Sequence, residues 1–360
     1  MAKLTYVFCH GLNGQGQYDE GYKKRPYWGG KSGDVVAEWR EQGLDAFAAS
    51  VAPQGSAWDR ACELYAQIAG TRTDYGKAHS AEYGHSRVGR DFTGNALIPA
   101  WDDDTKLVLI GHSFGGATIR LLAELLANGS EEERAATAPE DTSPLFVGGM
   151  GNRVFAIVTL AAPSNGTTAY DLAMDPSFDA RAVKVSVRHK MLNRFVKMRT
   201  KIKTDGRDPR DWANFDMTID NAQALNERIG MLPHVYYLSL ACDATVPAKD
   251  GTRVPDPKLM DPLFMQTAAN MGAYSTTTAG GCVVDDAWHA NDGLVNTVSA
   301  HAPINAPQRP LDSHNIERGV WNVMEDLRAD HSFFSGGYLH KTNPHPFFAE
   351  LLELLQGLGQ

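Results

Sequence analysis

The sequence predicts an α/β fold, with a mostly parallel sheet covered by helices on both faces. Three observations carry that expectation. Short apolar runs alternate with helical patterns, as the strands and crossovers of a parallel sheet require. One of these runs leads directly into a glycine-flanked serine and then an aliphatic helical pattern. The 43% apolar and 21% charged composition is that of a chain able to bury a sizeable core.

The candidate strands are Leu4–Phe8, Ala46–Ala49, Leu107–Ile110, Val154–Leu160 and Val235–Leu240, each a run of mostly apolar or β-branched residues. Between them, Ser56–Ala69 and Ala117–Leu126 have helical apolar spacing, and Pro346–Leu358 forms a last helix at the C-terminus. No internal repeat or low-complexity tract interrupts the pattern, so all 360 residues are read as one domain with inserts.

Composition also excludes function classes. The net charge of −9 argues against binding to a nucleic-acid backbone, which needs a basic face. No apolar run reaches the length of a membrane span. Cys9, Cys62, Cys242 and Cys282 are scattered without a C-x-x-C pair and read as free thiols. The segment Met1-Ala-Lys before the first apolar run is too short for a signal peptide, so the chain reads as cytoplasmic or as a mature or engineered start. Between 181 and 203 stand nine Lys/Arg and no acid, with Val183, Val187, Met191, Phe195, Met198 and Ile202 at helical spacing. That is either an ordinary surface helix or an amphipathic lid able to lie on an interface.

The chemistry starts at Gly111-His112-Ser113-Phe114-Gly115. Strand, G-x-S-x-G and helix together describe a sharp elbow that thrusts the Ser113 hydroxyl into the open as a nucleophile. The Phe114 N–H then points into the same space at a helix N-terminus, where developing negative charge is favoured. A second loop, Cys9-His-Gly-Leu-Asn-Gly14, follows the first strand. In an α/β-hydrolase such a loop supplies the other oxyanion donor, here assigned to the Leu12 N–H. A base and an orienting acid must follow in chain order. Eight histidines lie downstream, and His331, in Ala329-Asp-His-Ser332 ahead of the final helix, stands where the fold places its base. Two acids compete for the third place, Asp243 in Cys242-Asp-Ala-Thr-Val and Asp292 in Asn291-Asp-Gly-Leu-Val, and the residues alone leave both open.

Asp59, His79 and His85, near Trp58, Tyr75 and Tyr83, form a possible metal constellation. Imidazole and carboxylate together suit a closed tetrahedral Zn²⁺ site with a fourth ligand from elsewhere. The competing reading is a set of ordinary surface residues.

Several longer runs are more specific. Tyr27-Trp-Gly-Gly30, Trp58-Asp-Arg-Ala-Cys-Glu63, Asp74-Tyr-Gly76 with His79, Gly84-His-Ser-Arg87, Asn128-Gly-Ser-Glu-Glu-Glu-Arg134, Ser143-Pro-Leu-Phe146, Gly166-Thr-Thr168 and Asn291-Asp-Gly-Leu-Val-Asn-Thr-Val-Ser299 resemble the zinc-containing thermostable bacterial lipases and their staphylococcal and polyesterase relatives. The resemblance runs through most of the chain. It implies an α/β-hydrolase fold with a zinc-binding insert at 56–92 and a short helical lid at 167–215. It implies Ser113, Asp292 and His331 as the catalytic residues, with Leu12 and Phe114 as backbone donors. A structural Zn²⁺ would be held by Asp59, His79, His85 and, from Asn214-Phe-Asp216, Asp216. It further implies secretion and an ester substrate at a lipid or polymer surface.

The chain departs from those lipases in two places. Their calcium-ligating Glu, two residues after the histidine, is here Phe333, and their Asp-Pro is replaced within Gly336-Gly-Tyr-Leu339, so that Ca²⁺ site is expected to be absent. The lid segment is also shorter, which favours a relatively open site and short-to-medium acyl esters or polyesters. The alternatives are a long-chain triacylglycerol lipase and a non-catalytic lipid- or surface-binding module. The same triad also serves amidases and peptidases.

Overall fold

The structure, a computed structural model, describes residues 3–175, 177–178 and 206–358. The basic segment 181–203 therefore lies outside the described residues.

Seven strands form the main sheet: β1 (Lys3–Cys9), β2 (Asp45–Ala49), β3 (Thr105–His112), β4 (Val154–Leu160), β5 (Tyr236–Leu240), β6 (Gln308–Pro310) and β7 (Trp321–Val323). Their spatial order is β6-β7-β5-β4-β3-β1-β2, and every neighbouring pair is parallel. The first five are the strands expected from the apolar runs. Strand β6, at one edge, and β7 beside it are three residues each and carry Arg309, Pro310 and Asn322, too short and polar to show as apolar runs.

Alternation along the strands sorts the core into two layers. Val7, Cys9, Leu107, Leu109 and Ile157 face one side, packed with α2 (Ala57–Ala69) and α4 (Gly115–Asn128). Tyr6, Phe8, Val108, Ile110, Ala156 and Val158 face the other, against α1 (Val35–Glu41) and α6 (His345–Gly357), where Trp28, Trp39 and Phe348 fill the layer. Each helix has a local reason for its limits. The Ser56 hydroxyl caps α2 by accepting from the Asp59 N–H, and Gly70, at φ +68°, ends it. Beyond α2, the antiparallel pair Arg72–Asp74 and Val88–Asp91 encloses the short helix α3 (Lys77–Tyr83). This small unit carries His79 and His85. Helix α5 (Ile219–Arg228) packs beside the α4 layer through Leu225.

Candidate active site and metal centre

Ser113 sits one residue beyond β3 at φ +56°, a left-handed conformation that few non-glycine residues adopt. The turn is held by Ser113 N–H donating to the Leu160 carbonyl (2.9 Å) and Gly116 N–H donating to the Ser113 carbonyl (2.9 Å). Space dictates the flanking residues. A Cβ at Gly115 would lie 2.2 Å from the Cys9 carbonyl oxygen, and one at Gly11 would lie 2.6 Å from the Ser113 Cβ. Glycine at both positions lets the serine turn and the 10–14 loop approach each other.

The Ser113 Oγ lies 2.8 Å from His331 Nε2, and His331 Nδ1 lies 2.7 Å from Asp292 Oδ2. Both rings of contact are buried, Asp292 almost completely. Its other oxygen accepts the N–H groups of Leu294 (2.9 Å) and Val295 (2.7 Å), and its carbonyl accepts the His331 N–H (2.9 Å). Since a carboxylate only accepts, the Nδ1 of His331 carries the proton, leaving Nε2 to accept from the serine hydroxyl. Asp243 is occupied elsewhere. Its Oδ2 accepts from Arg253 (2.5 Å) and Arg328 (2.7 Å), its Oδ1 from Thr245.

The Leu12 and Phe114 amides face no acceptor among the described residues. The loop carrying Leu12 is anchored by Arg60, a fully buried cation. Its guanidinium donates to the His10 carbonyl, to the Ala52 carbonyl (2.9 Å) and to Thr118 Oγ1 (2.9 Å), and lies 5.2 Å from the Phe114 ring centroid.

Three further positioning groups were not singled out from the sequence. The Tyr27 hydroxyl accepts the Gly11 N–H (3.0 Å) and lies 2.7 Å from His112 Nδ1, while His112 Nε2 lies 3.1 Å from the His331 carbonyl. Burial, and then the neighbouring His331, push the His112 pKa well below the usual histidine range. A neutral ring facing a carbonyl must donate through Nε2, so Nδ1 accepts from Tyr27. Asp261 clasps the chain beyond the base. Its Oδ2 accepts the N–H groups of Tyr338 (3.3 Å), Leu339 (2.6 Å) and His340 (2.8 Å), and its own N–H donates to Asp330 Oδ2 (2.5 Å). Tyr27 stood within one of the family-like runs, and His112 within the pentapeptide. Asp261 had no local signal at all.

A second cluster lies at the end of α2. Asp59, His79, His85 and Asp211 each turn one ligand atom toward a common point, all within 4.8 Å of one another. His79 Nε2 is 3.3 Å from Asp59 Oδ1 and 3.3 Å from Asp211 Oδ1, and His85 Nε2 is 3.4 Å from Asp211 Oδ2. A tetrahedron with metal–ligand bonds of about 2.0–2.1 Å has edges of roughly 3.3–3.4 Å. Asp59 Oδ1, His79 Nε2, His85 Nε2 and Asp211 Oδ1 are all buried with no hydrogen-bond partner among the described residues, which such atoms tolerate only when something else satisfies them. His85 Nδ1 lies 2.9 Å from the Ser86 carbonyl, fixing Nε2 as the free lone pair. The His79 ring is stacked on Trp58, 5.1 Å between centroids. These four residues could hold a metal ion.

The fourth member of the cluster differs from the sequence expectation. Asp211, not Asp216, completes the cluster. Asp216 Oδ2 instead accepts the Ala57 N–H (2.7 Å) at the start of α2, and burial lifts its pKa to about 7. The stretch 205–216 offers four aspartates, and spacing alone does not say which one the chain turns inward.

The comparisons agree with this architecture. The model of the family described as lipase-like, C-terminal domain, matches residues 2–207 and 193–345. Lipase 2 of Staphylococcus aureus is 33% identical over 362 residues, covering 93% of this chain and 50% of its own length. The chain thus spans about half of the curated relatives it matches. Among solved structures, EstA from Clostridium botulinum superposes with a TM-score of 0.85 at 29% identity, covering 100% of this chain and 89% of its own. Lipase 1 from Pelosinus fermentans gives 0.79 at 31% identity, with 100% of both chains covered. A family model across nearly the whole chain and a relative one-third identical over 93% of it place this protein in the lipase-like family.

Proposed function

We propose that this chain is a serine carboxylic-ester hydrolase whose catalytic residues are Ser113, His331 and Asp292. The observation that carries the reading is the continuous hydrogen-bonded line from Ser113 Oγ through His331 to Asp292 Oδ2, with gaps of 2.8 and 2.7 Å. In the first step Ser113 Oγ bonds to the ester carbonyl carbon as its proton passes to His331 Nε2. The carbonyl oxygen becomes an oxyanion facing the Leu12 and Phe114 N–H groups, and Asp292 stabilises the imidazolium. Collapse breaks the carbon–oxygen bond to the alcohol, which leaves with the proton from His331. Water, deprotonated by the same Nε2, then attacks the acyl-enzyme and regenerates the Ser113 hydroxyl.

The metal centre takes no part in those steps. Its two imidazoles and two carboxylates suit Zn²⁺ held in a structural role, where the ion would tie α2 and the α3 unit to the 208–216 segment. Support comes from four ligand atoms lying within 4.8 Å of one another, none with a hydrogen-bond partner among the described residues.

The substrate class we favour is short-to-medium acyl esters or polyesters, and an extracellular setting is consistent with that class. A panel of butyrate esters, long-chain emulsions and an aromatic polyester, run on wild type and Ser113→Ala, tests both levels. Turnover of short esters that vanishes in Ser113→Ala is expected. Full turnover in that variant overturns the triad, and a strong preference for long-chain emulsions overturns the substrate class.

A further inference from the structure

A cleft of about 360 Å³ lies between α4, α5 and the 303–307 loop, apart from the catalytic serine. One flank is apolar, formed by Ile157, Ile229, Met231, Leu232 and Ile304, and the rest of the lining is polar, with Gln223, Asn226 and Asn305 among it. Set into the lining is Arg120, only 4% exposed. Its Nη2 donates to the neutral Asn226 Oδ1 (2.7 Å), and the guanidinium lies 6.0 Å from the Trp321 ring centroid. Among the described residues no carboxylate pairs with it. Glu124, also in the lining, is engaged by the Gly230 N–H (2.8 Å) and by Asn128 (2.6 Å), and Glu227 stands exposed at the mouth. Buried cations are ordinarily paired, because an uncompensated one forfeits its hydration. Arg120 remains cationic at neutral pH, although burial lowers its pKa to about 10.

A second donor belongs to the same cleft. The Tyr237 hydroxyl accepts the Leu232 N–H (2.8 Å), and its own proton has no acceptor among the described residues. A guanidinium and a phenolic hydroxyl beside one apolar flank suit a ligand with an anionic head that accepts hydrogen bonds and a hydrocarbon tail.

We propose that this cleft binds a medium-chain fatty carboxylate, with its head on Arg120 and Tyr237 and its tail against Ile157, Met231 and Ile304. The cleft's volume of about 360 Å³ falls within the range of small-ligand pockets and has room for an acyl chain of about eight carbons. The site is distinct from the oxyanion region. Arg120 follows Ser113 by seven residues, about 10 Å down the helix, and Ser113 does not line the cleft. The proposal does not depend on ester hydrolysis.

The test is calorimetric titration of octanoate and of 1-octanol into the full chain carrying Ser113→Ala, with and without Arg120→Gln. Octanoate is expected to saturate one Arg120-dependent site, weakened about tenfold or more by Arg120→Gln, because a charge-assisted bidentate contact is lost. Octanol should bind about tenfold more weakly than octanoate. Ile304→Trp, at a partly exposed rim position, should obstruct the tail and gives the same comparison if Arg120→Gln fails to fold. No octanoate binding overturns the proposal. So does octanoate binding that folded Arg120→Gln or Ile304→Trp leaves unchanged, or octanol binding as tight as octanoate.

Discussion

His112 joins His331 across the active site: its Nε2 donates to the His331 carbonyl at 3.1 Å, while its Nδ1 accepts from Tyr27, which in turn holds the Gly11 N–H. One neutral imidazole thereby couples the loop of the base to the loop that carries Leu12. Both must be in register for the serine to be deprotonated where its oxyanion is received.

Removing one link should loosen that register without touching substrate. Tyr27→Phe leaves the Gly11 N–H and His112 Nδ1 unpaired, each costing on the order of 1–3 kcal/mol. We expect kcat on a short ester to fall about tenfold with KM little changed. An equal rise in KM with kcat intact would mean that Tyr27 acts on substrate binding instead.

Asp243→Asn and Asp292→Asn should behave very differently. Asparagine at 292 can donate to His331 and favour the wrong tautomer, so kcat should drop about 10⁴-fold. Asp243 neutralises Arg253 and Arg328, so its loss should lower the melting temperature while kcat per folded molecule stays near wild type. Comparable kcat losses in the two variants would contradict the assignment.

Metal analysis of the purified protein should find about one Zn²⁺ per chain, and a chelator should lower the melting temperature. Asp211→Ala should abolish zinc retention. Asp216→Ala should keep the metal and lose only the N–H contact at the start of α2, about 1 kcal/mol. Retention in the first variant and loss in the second would restore Asp216 as the ligand.

Glu63 gives a pH signature. Burial raises its pKa from 4.5 to about 7, with Tyr75 and the Ala52 N–H as hydrogen-bond partners. The folded state therefore holds a proton that the unfolded chain releases. That contribution is complete below the unfolded pKa and disappears as pH rises through about 7. Its size is on the order of 3 kcal/mol. Glu63→Gln retains both contacts, with Oε1 accepting from Ala52 and Nε2 donating to Tyr75. Melting temperatures from pH 5 to 8 should decline less steeply in the variant. Parallel curves would show that Glu63 is not the group responsible.

The parts legible in the sequence are those encoded locally. Five apolar runs became strands β1 to β5 of the seven because a parallel sheet buried on both faces demands continuous hydrophobicity. The serine elbow was readable because a strand, two small residues and a helix in direct succession specify one sharp turn. Strands β6 and β7 were not readable. Each has only three residues, and neither Gln308-Arg-Pro310 nor Trp321-Asn-Val323 is an apolar run long enough to leave a pattern.

What only the tertiary structure decided are choices between chemically equal residues. Asp292 meets His331 while Asp243 meets two arginines, and Asp211 rather than Asp216 turns toward His79. That no carboxylate among the described residues pairs with Arg120 is likewise visible only once the surrounding cleft exists. Sequence by itself determined which side chains could serve, because their chemistry and local spacing are written there. The folded chain decided which of them do, because ligand and hydrogen-bond geometry depends on distances of about 3 Å between segments tens to hundreds of residues apart.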